Sequence, residues 1–263
     1  MGKLGQDSVA RAAAAAAIDV APTFLETTRS TNADAVALAE RGAPEWTLVA
    51  AGEQTAGRGR LGRSWASAPG KALLFSVVFR PPLEPARAAI VSHLAAAVMA
   101  EACGPPRAVR TKWPNDLVVG ERKLAGVLPE AKVVGGALDY LVVGVGVNVS
   151  MDRDDFPPDV RDTATSLALE GLEADADALL TRFLVSFRAA YRPIDPAFPQ
   201  HAAAEYAAAC ATLRRPVRAR TIDGDVVEGV ATRITDSGAL VVRTDDGERD
   251  VAFGEVEHLR SRR

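Results

Sequence analysis

An α+β fold is predicted for this chain. Its first part would hold a mixed, mainly antiparallel sheet with helices, and a small β-barrel of the SH3-like class would follow from about residue 213. Three observations carry that expectation. Helix and strand signals come in mixed order through the first part, and two strand pairs there are joined by tight turns. After "LRRP" the texture changes to four or five short alternating strands with Asp-Gly, Ser-Gly and Asp-Gly turns. The length of 263 residues, 48% hydrophobic and 25% charged, suits one large domain with a sizeable core and one small domain.

The elements follow in order. "ARAAAAAAIDV" is helix-prone through its alanines. "FLETTRSTNADAVALAERG" reads as a helix, with Thr31 or Asn32 as cap, Asp34 in the positive first turn and Gly42 at the left-handed end. "WTLVAAGEQ" and "ALLFSVVFRP" read as buried strands, the second closed by Pro81 and Pro82. "EPARAAIVSHLAAAVMAEACG" is a long helix ending at Gly104, and "AVRTKW" a short strand. "DLVVGERKLAGVLPEA" gives two strands around Gly120–Glu121, and "KVVGGALDYLVVGVGVNVS" a further pair around Gly135–Gly136. Helices are expected at about 175–191 and 201–212, and no repeat of fixed period occurs.

Composition excludes several functions. With 31 basic and 34 acidic residues the formal charge is −3, so the whole molecule is no general polyanion binder and any basic patch is local. Cys103 and Cys210 form no C-x-x-C and read as reduced thiols of a cytoplasmic protein; His93, His201 and His258 have no zinc spacing. No run of about 18 strongly apolar residues suggests a membrane span. The alanine run, preceded by Asp7, is too weakly apolar for a secretion signal.

Two motif clusters remain. In "GEQTAGRGRLGRSW", Gly57, Gly59 and Gly62 match G-x-G-x-x-G, and Gly57 to Ser64 comes within one residue of a P-loop, with Arg63 in the lysine position. Both motifs need a helix next, to receive phosphate at its N-terminus. Here Pro69, Gly70 and a strongly β run follow instead. The segment therefore reads as a glycine-loosened loop between strands. Arg58, Arg60 and Arg63 repel one another unless an anion joins them; taken alone, an anion site and a solvated basic loop both fit. An RNA-stacking role for Trp65 is disfavoured by the net negative charge and the single aromatic. The second cluster, "TKWPNDLVVGERKLAGVLPE", brings Lys112, Trp113, Asn115, Asp116, Lys123 and Gly126 together. Pro114 fixes the turn from which Asn115 and Asp116 project, and Lys123 precedes the small Ala125 and Gly126. Alone, these residues also fit a plain turn and an exposed lysine.

Together the two clusters resemble the biotin protein ligases. "GRGRLGR", "KWPND" and "RKLAG" fit that family's three signatures, and "STN" at Ser30–Asn32, Gln54 in "EQTAGRGR" and "GVGVNV" at Gly144–Val149 fall in its order and spacing. The resemblance runs from about Phe24 to the C-terminus. It implies a class II synthetase-like catalytic domain over residues 1–212 and an SH3-like barrel over 213–263. The implied activity is ATP-dependent: biotin's carboxylate attacks the α-phosphate of ATP with Mg²⁺ present, and biotinoyl-5′-AMP then acylates a lysine of a biotin carboxyl carrier protein. By the same resemblance Ser30, Thr31, Asn32 and Gln54 bind the ureido end, with Gly57 beside them. Gly126 and Gly146 line the biotin slot. Arg58 and Arg60 engage carboxylate and phosphate, and Arg63 helps order the loop. Trp65, Asn115 and Asn148 serve the adenylate, and Lys123 bonds at the reacting centre. Asp116 either orients Lys123 or binds metal; no residue is assigned as a metal ligand. Only about 23 residues precede the resemblance, which implies a single-function form without operator binding, a monomer or homodimer with no nucleic-acid or membrane partner. The rival readings are a lipoate or octanoate ligase and a catalytically idle biotin sensor. Pro129 departs from the family pattern and suggests a strand end or edge.

Overall fold

The computed structural model describes residues 4–173, 175–221, 224–252 and 254–259. Helix α1 (Gln6–Ala15) opens the chain and buries Val9, Ala12 and Ala13. Then come β1 (Thr23–Leu25), α2 (Thr31–Glu40), β2 (Leu48–Ala51), the two-residue strands β3 (Gly57–Arg58) and β4 (Ser64–Trp65), β5 (Ala72–Phe79) and α3 (Ala89–Ala102). β6 (Arg110–Lys112), β7 (Asp116–Val119), β8 (Arg122–Val134), β9 (Ala137–Asn148), α4 (Ala176–Ala190) and α5 (Phe198–Ala209) complete this part.

Its sheet has the order β1-β2-β5-β9-β8-β7-β6. β1 and β2 are parallel and every other pair is antiparallel, as the mixed element order predicted. All eight residues of β5 are buried, because helices cover both faces of the sheet. On one face Ala35 and Ala39 of α2 pack against Val49, Val78, Tyr140 and Val142. The other face belongs to the main core, where Leu73, Phe75 and Val145 meet Ile90, Leu94, Phe183 and Phe187. Burial contributes about 1.5–3 kcal/mol for each such large side chain. Among the described residues, no helix is long and apolar enough to cross a membrane.

Three expectations change. The second helix starts at Thr31, and Phe24 instead pairs with Ala50 in β1. Its N-cap is Ser30, not Thr31 or Asn32, and Ser30 is extended with no side-chain cap bond. The open N–H of Thr31 donates to Gln54 Oε1 at 2.7 Å, so a side chain distant in sequence satisfies this helix end. The last helix starts at Phe198 rather than 201, with Pro199 tolerated in its first turn. Pro129 lies inside β8, opposite Val143. Val127 N donates to Asn115 O on the β7 side, so by the two-residue period the Pro129 nitrogen points to that side too. β7 has ended by then, its last partner on β8 being Gly126, so no ladder bond is lost. Pro129 thus marks an edge, not an end.

The C-terminal strands are β10 (Pro216–Thr221), β11 (Val226–Ile234), β12 (Leu240–Thr244), β13 (Gly247–Val251) and β14 (Gly254–His258). They form an antiparallel sheet of order β13-β12-β11-β10-β14. The small SH3-like β unit expected here is present, as a curled sheet rather than a closed barrel. Flat, the outer strands would stand about 19 Å apart, yet Val251 and Gly254 are three residues apart and span at most about 11 Å. The sheet must therefore curl. It cannot close, because the alternating directions make β13 and β14 parallel, and parallel neighbours need a crossover of a dozen or more residues.

Candidate active site

The site lies on the α2 face of the sheet, just beyond the N-terminus of that helix. Side chains alternate along β9: Val143, Val145 and Val147 enter the main core, while Gly144, Gly146 and Asn148 face the other way. Gly126 on β8 pairs with Gly146. These glycines strip the sheet of side chains, and a cavity of about 500 Å³ opens over them. A Cβ at position 146 would lie 2.7 Å from Trp65 Cε2, and one at position 144 would collide with Asn32 Oδ1. A larger residue at either position must therefore displace the side chain above it.

At one end of the cavity stands a neutral hydrogen-bonding group. Ser30, Thr31 and Asn32 are buried at the start of α2. Thr31 Oγ1 donates to Gln54 Oε1 at 3.0 Å. Ser76, buried on β5, lies 2.8 Å from Thr31 Oγ1 and donates to Asn32 Oδ1 at 2.6 Å. Asn32 Nδ2 donates to Leu128 O and to Glu130 Oε1, at 3.1 and 2.7 Å.

Of the cations, Lys123 and Arg60 stand towards the other end, while Arg58 reaches the Asn32 group through Glu130. β3 and β4 form a short ladder that seats Arg58 opposite Ser64 and Gly57 opposite Trp65. Gly57 stands behind the wall of the cavity, not on it; a Cβ there would lie 2.9 Å from Gln54 Nε2. Between the two strands runs a 3₁₀ turn, Arg60–Gly62, with Leu61 in the left-handed region at φ 54°. No α-helix follows the glycines, so neither nucleotide fingerprint has its helix N-terminus. Arg58 pairs with Glu130 at 2.7 Å and Arg63 pairs with Glu255. Arg60 Nη1 donates to Gly254 O at 3.1 Å and approaches Asn115 Oδ1 at 3.5 Å. Burial lowers the Arg60 pKa below the usual guanidinium range, against the opposing pull of Asp116 and Glu255. Lys123 Nζ lies 2.6 Å from Asp116 Oδ1 and 5.7 Å from the Trp65 ring centre. Three of the cations thus hold protein carboxylates.

The second motif is anchored from behind. Trp113 is buried: its N–H donates to Thr212 Oγ1 and its Nε1 to Gly238 O, at 3.1 and 3.0 Å. Tyr206 OH donates to Pro114 O at 3.4 Å. This fixes the turn so that Asn115 Nδ2 donates to Val127 O at 3.0 Å and Asp116 reaches Lys123. The C-terminal sheet supplies Gly238, Gly254 and Glu255, so it braces both motifs.

Fourteen of the fifteen expected site residues line this one cavity; Gly57 is the exception. Sequence reasoning missed Ser76, Glu130 and the loop carrying Phe156, Pro157, Val160 and Ala164, which forms a further wall. Ser76 had a signal, as the single polar residue in the apolar run "ALLFSVVF". The loop pairs with Lys123 through backbone bonds, Lys123 N to Thr163 O and Thr165 N to Lys123 O, which no local pattern announces. Beside it, Asn148 Nδ2 donates to Thr165 O, while its buried Oδ1 and the Nε1 of Trp65 have no partner among the described residues.

Residues 24–148 match the Biotin/lipoate A/B protein ligase family, and residues 212–259 match the Biotin protein ligase C terminal domain. The biotin–[acetyl-CoA-carboxylase] ligase of Mycobacterium tuberculosis is 36% identical over 89% of this chain and 87% of its own length. The chain belongs to the biotin protein ligase family. The enzyme of the same description from Paracoccus denitrificans is 32% identical over 89% of this ligase and 98% of its own length. The fold is shared with a biotin protein ligase from Aquifex aeolicus solved with biotin and ATP. The TM-score is 0.72 at 24% identity, covering 91% of this chain and 99% of that one.

Proposed function

We propose that this ligase joins the carboxylate of biotin to the α-phosphate of ATP, releasing pyrophosphate, and passes the biotinoyl group to one lysine of a biotin carboxyl carrier domain of an acyl-CoA carboxylase. The observation that carries the reading is the polarity of the cavity. A buried neutral group, Ser30, Thr31, Asn32 and Gln54, with Arg58 tied to it through Glu130, faces Arg60, Asn115 and Lys123 across a glycine floor. That order suits a slender ligand with a ureido ring at one end and a carboxylate at the other. Arg58, Arg60 and Lys123 offset the repulsion as carboxylate approaches phosphate, then the charge that builds during attack. Arg63 steadies the loop against Glu255. Trp65 and the Phe156–Val160 loop offer apolar walls to an adenine ring, and the orphan acceptor of Asn148 suits an exocyclic amino group. In the second step the carrier amine attacks the mixed anhydride carbonyl and AMP leaves.

Among the described residues no three His, Cys, Asp or Glu side chains are grouped to hold a metal ion. Asp116 is engaged by Lys123, which supports its orienting role over a metal role. Mg²⁺ would therefore arrive on the ATP phosphates, and it would supply charge neutralisation there. In the same reading residues 1–212 form the catalytic domain and 213–263 the smaller one. The protein acts in the cytoplasm as a monomer or homodimer, without nucleic-acid or membrane partners. Mass spectrometry of an apo carrier domain incubated with enzyme, ATP and biotin tests the transfer. One biotinoyl adduct on a single lysine is expected, and an unmodified carrier refutes it.

A further inference from the structure

Ser76 lies behind the cavity wall, yet two polar groups of that wall rest on it. Leu73, Phe75, Val77 and Phe79 of β5 enter the main core, so by the two-residue period Ser76 shares the α2 face with Val78. Its strand partner on β9 is Gly144, and a Cβ on that glycine would collide with Asn32 Oδ1. Ser76 Oγ lies 2.6 Å from this Asn32 oxygen and 2.8 Å from Thr31 Oγ1. We infer that Ser76 is a positioning residue: it fixes Asn32 and Thr31 as hydrogen-bond acceptors, so that the neutral end of the cavity selects a ligand whose ring presents N–H groups. This rests on the reading of the cavity as a biotin site.

The direction of each bond follows from the hydrogens available. Asn32 Nδ2 has two, and Leu128 O and Glu130 Oε1 take them. Asn32 Oδ1 only accepts, so the one hydroxyl hydrogen of Ser76 goes to it. The Thr31 hydroxyl hydrogen has two acceptors in reach, Gln54 Oε1 at 3.0 Å and Ser76 Oγ at 2.8 Å. Both are protein atoms, so that hydrogen is spent and Thr31 keeps lone pairs for the cavity. Gln54 Oε1 already accepts from Thr31 N, which leaves the two hydrogens of Gln54 Nε2 for a ligand carbonyl. Two acceptors and one donor group match the N–H, C=O, N–H edge of a ureido ring. A hydroxyl in an apolar strand is costly to bury unless its bonds are made, and both side-chain bonds of Ser76 go to cavity residues. An oxygen held firmly over Gly144 binds a ring N–H and repels a ring oxygen; one free to draw back discriminates less.

The test compares biotin with the two cyclic carbamates in which one or the other ureido N–H is replaced by a ring oxygen, by titration calorimetry on the full chain. The parent should prefer biotin over at least one carbamate by about tenfold. The carbamate whose ring oxygen meets Asn32 is the one whose penalty Asn32→Ala removes. In Ser76→Ala the preference for biotin over that carbamate should fall about threefold. In an Asn32→Ala background, Ser76→Ala should change it no further. If Ser76→Ala weakens all three ligands by one common factor, the ratio is unchanged, the inference is overturned and the serine is merely structural. A raised ratio overturns it as well. A parent that binds both carbamates as tightly as biotin overturns the acceptor assignment and the inference with it. If the parent binds none of the three, the reading of the cavity fails first and takes this inference with it. If Ser76→Ala does not fold, the near-isosteric Ser76→Cys, a much weaker donor, decides alone by the same ratio.

Discussion

Replacing Lys123 by alanine removes the cation closest to the glycine floor. Its Nζ lies 2.6 Å from Asp116 Oδ1 and 3.6 Å from where a Cβ on Gly126 would stand. A charge-assisted hydrogen bond to a ligand oxygen there is worth about 1.5–3 kcal/mol, or roughly 10- to 150-fold at about 1.4 kcal/mol per decade. The variant also leaves the Asp116 carboxylate uncompensated beside the phosphate, which adds repulsion. Adenylation should therefore slow at least ~10²-fold. Biotin affinity should fall less, because the ureido contacts lie at the other end of the cavity. Lys123→Arg should not restore the rate, since a planar fork does not replace a compact ammonium between Trp65 and Gly126. Adding Asp116→Asn to Lys123→Ala should recover part of the loss, because it removes the stranded charge. Single-turnover formation of biotinoyl-5′-AMP, measured beside biotin binding, checks all of this. Adenylation at the parent rate in Lys123→Ala would refute the placement of the reacting centre.

Gly144→Ala should weaken biotin binding by at least ~10-fold, because the new methyl must displace the buried, hydrogen-bonded Asn32; binding equal to the parent contradicts the close fit. The loop from Gly57 to Arg63 should gain hydrogen-exchange protection when biotin and ATP replace its carboxylate partners, and equal protection in both states contradicts the exchange of partners. Stability should fall in acid through His93. Burial lowers its pKa from 6.5 to about 4, so between those values the unfolded chain binds the extra proton and folding weakens as pH drops from about 6.5 to about 4. Urea titrations of the parent and His93→Gln over that range check it: the variant should lose part of the acid slope, and identical slopes exclude His93.

The sequence made the sheet legible through its turns. Gly135 and Gly136, both at positive φ, close the β8–β9 hairpin where the notation "VVGGAL" places it. The start of α2 was not legible, because its cap comes from Gln54, 23 residues away, and no local signal carries that bond. The C-terminal β unit was legible from strand count and turns, but that its sheet stays open was not, because strand direction around the edge emerges only from pairing. In the site, the residues with unusual local texture were found, namely the arginine–glycine loop, the Trp-Pro-Asn-Asp turn and Lys123. Glu130 follows Pro129 on an ordinary strand. Its importance comes from Asn32 and Arg58, 98 and 72 residues away.

The central claim is that this cavity activates biotin as its adenylate, and ATP–pyrophosphate exchange measures that step without a carrier. Incorporation of labelled pyrophosphate into ATP should require biotin and be lost in Lys123→Ala. Lipoate or octanoate in place of biotin should give no exchange. Exchange driven by lipoate, or none with biotin in the parent enzyme, would contradict the account.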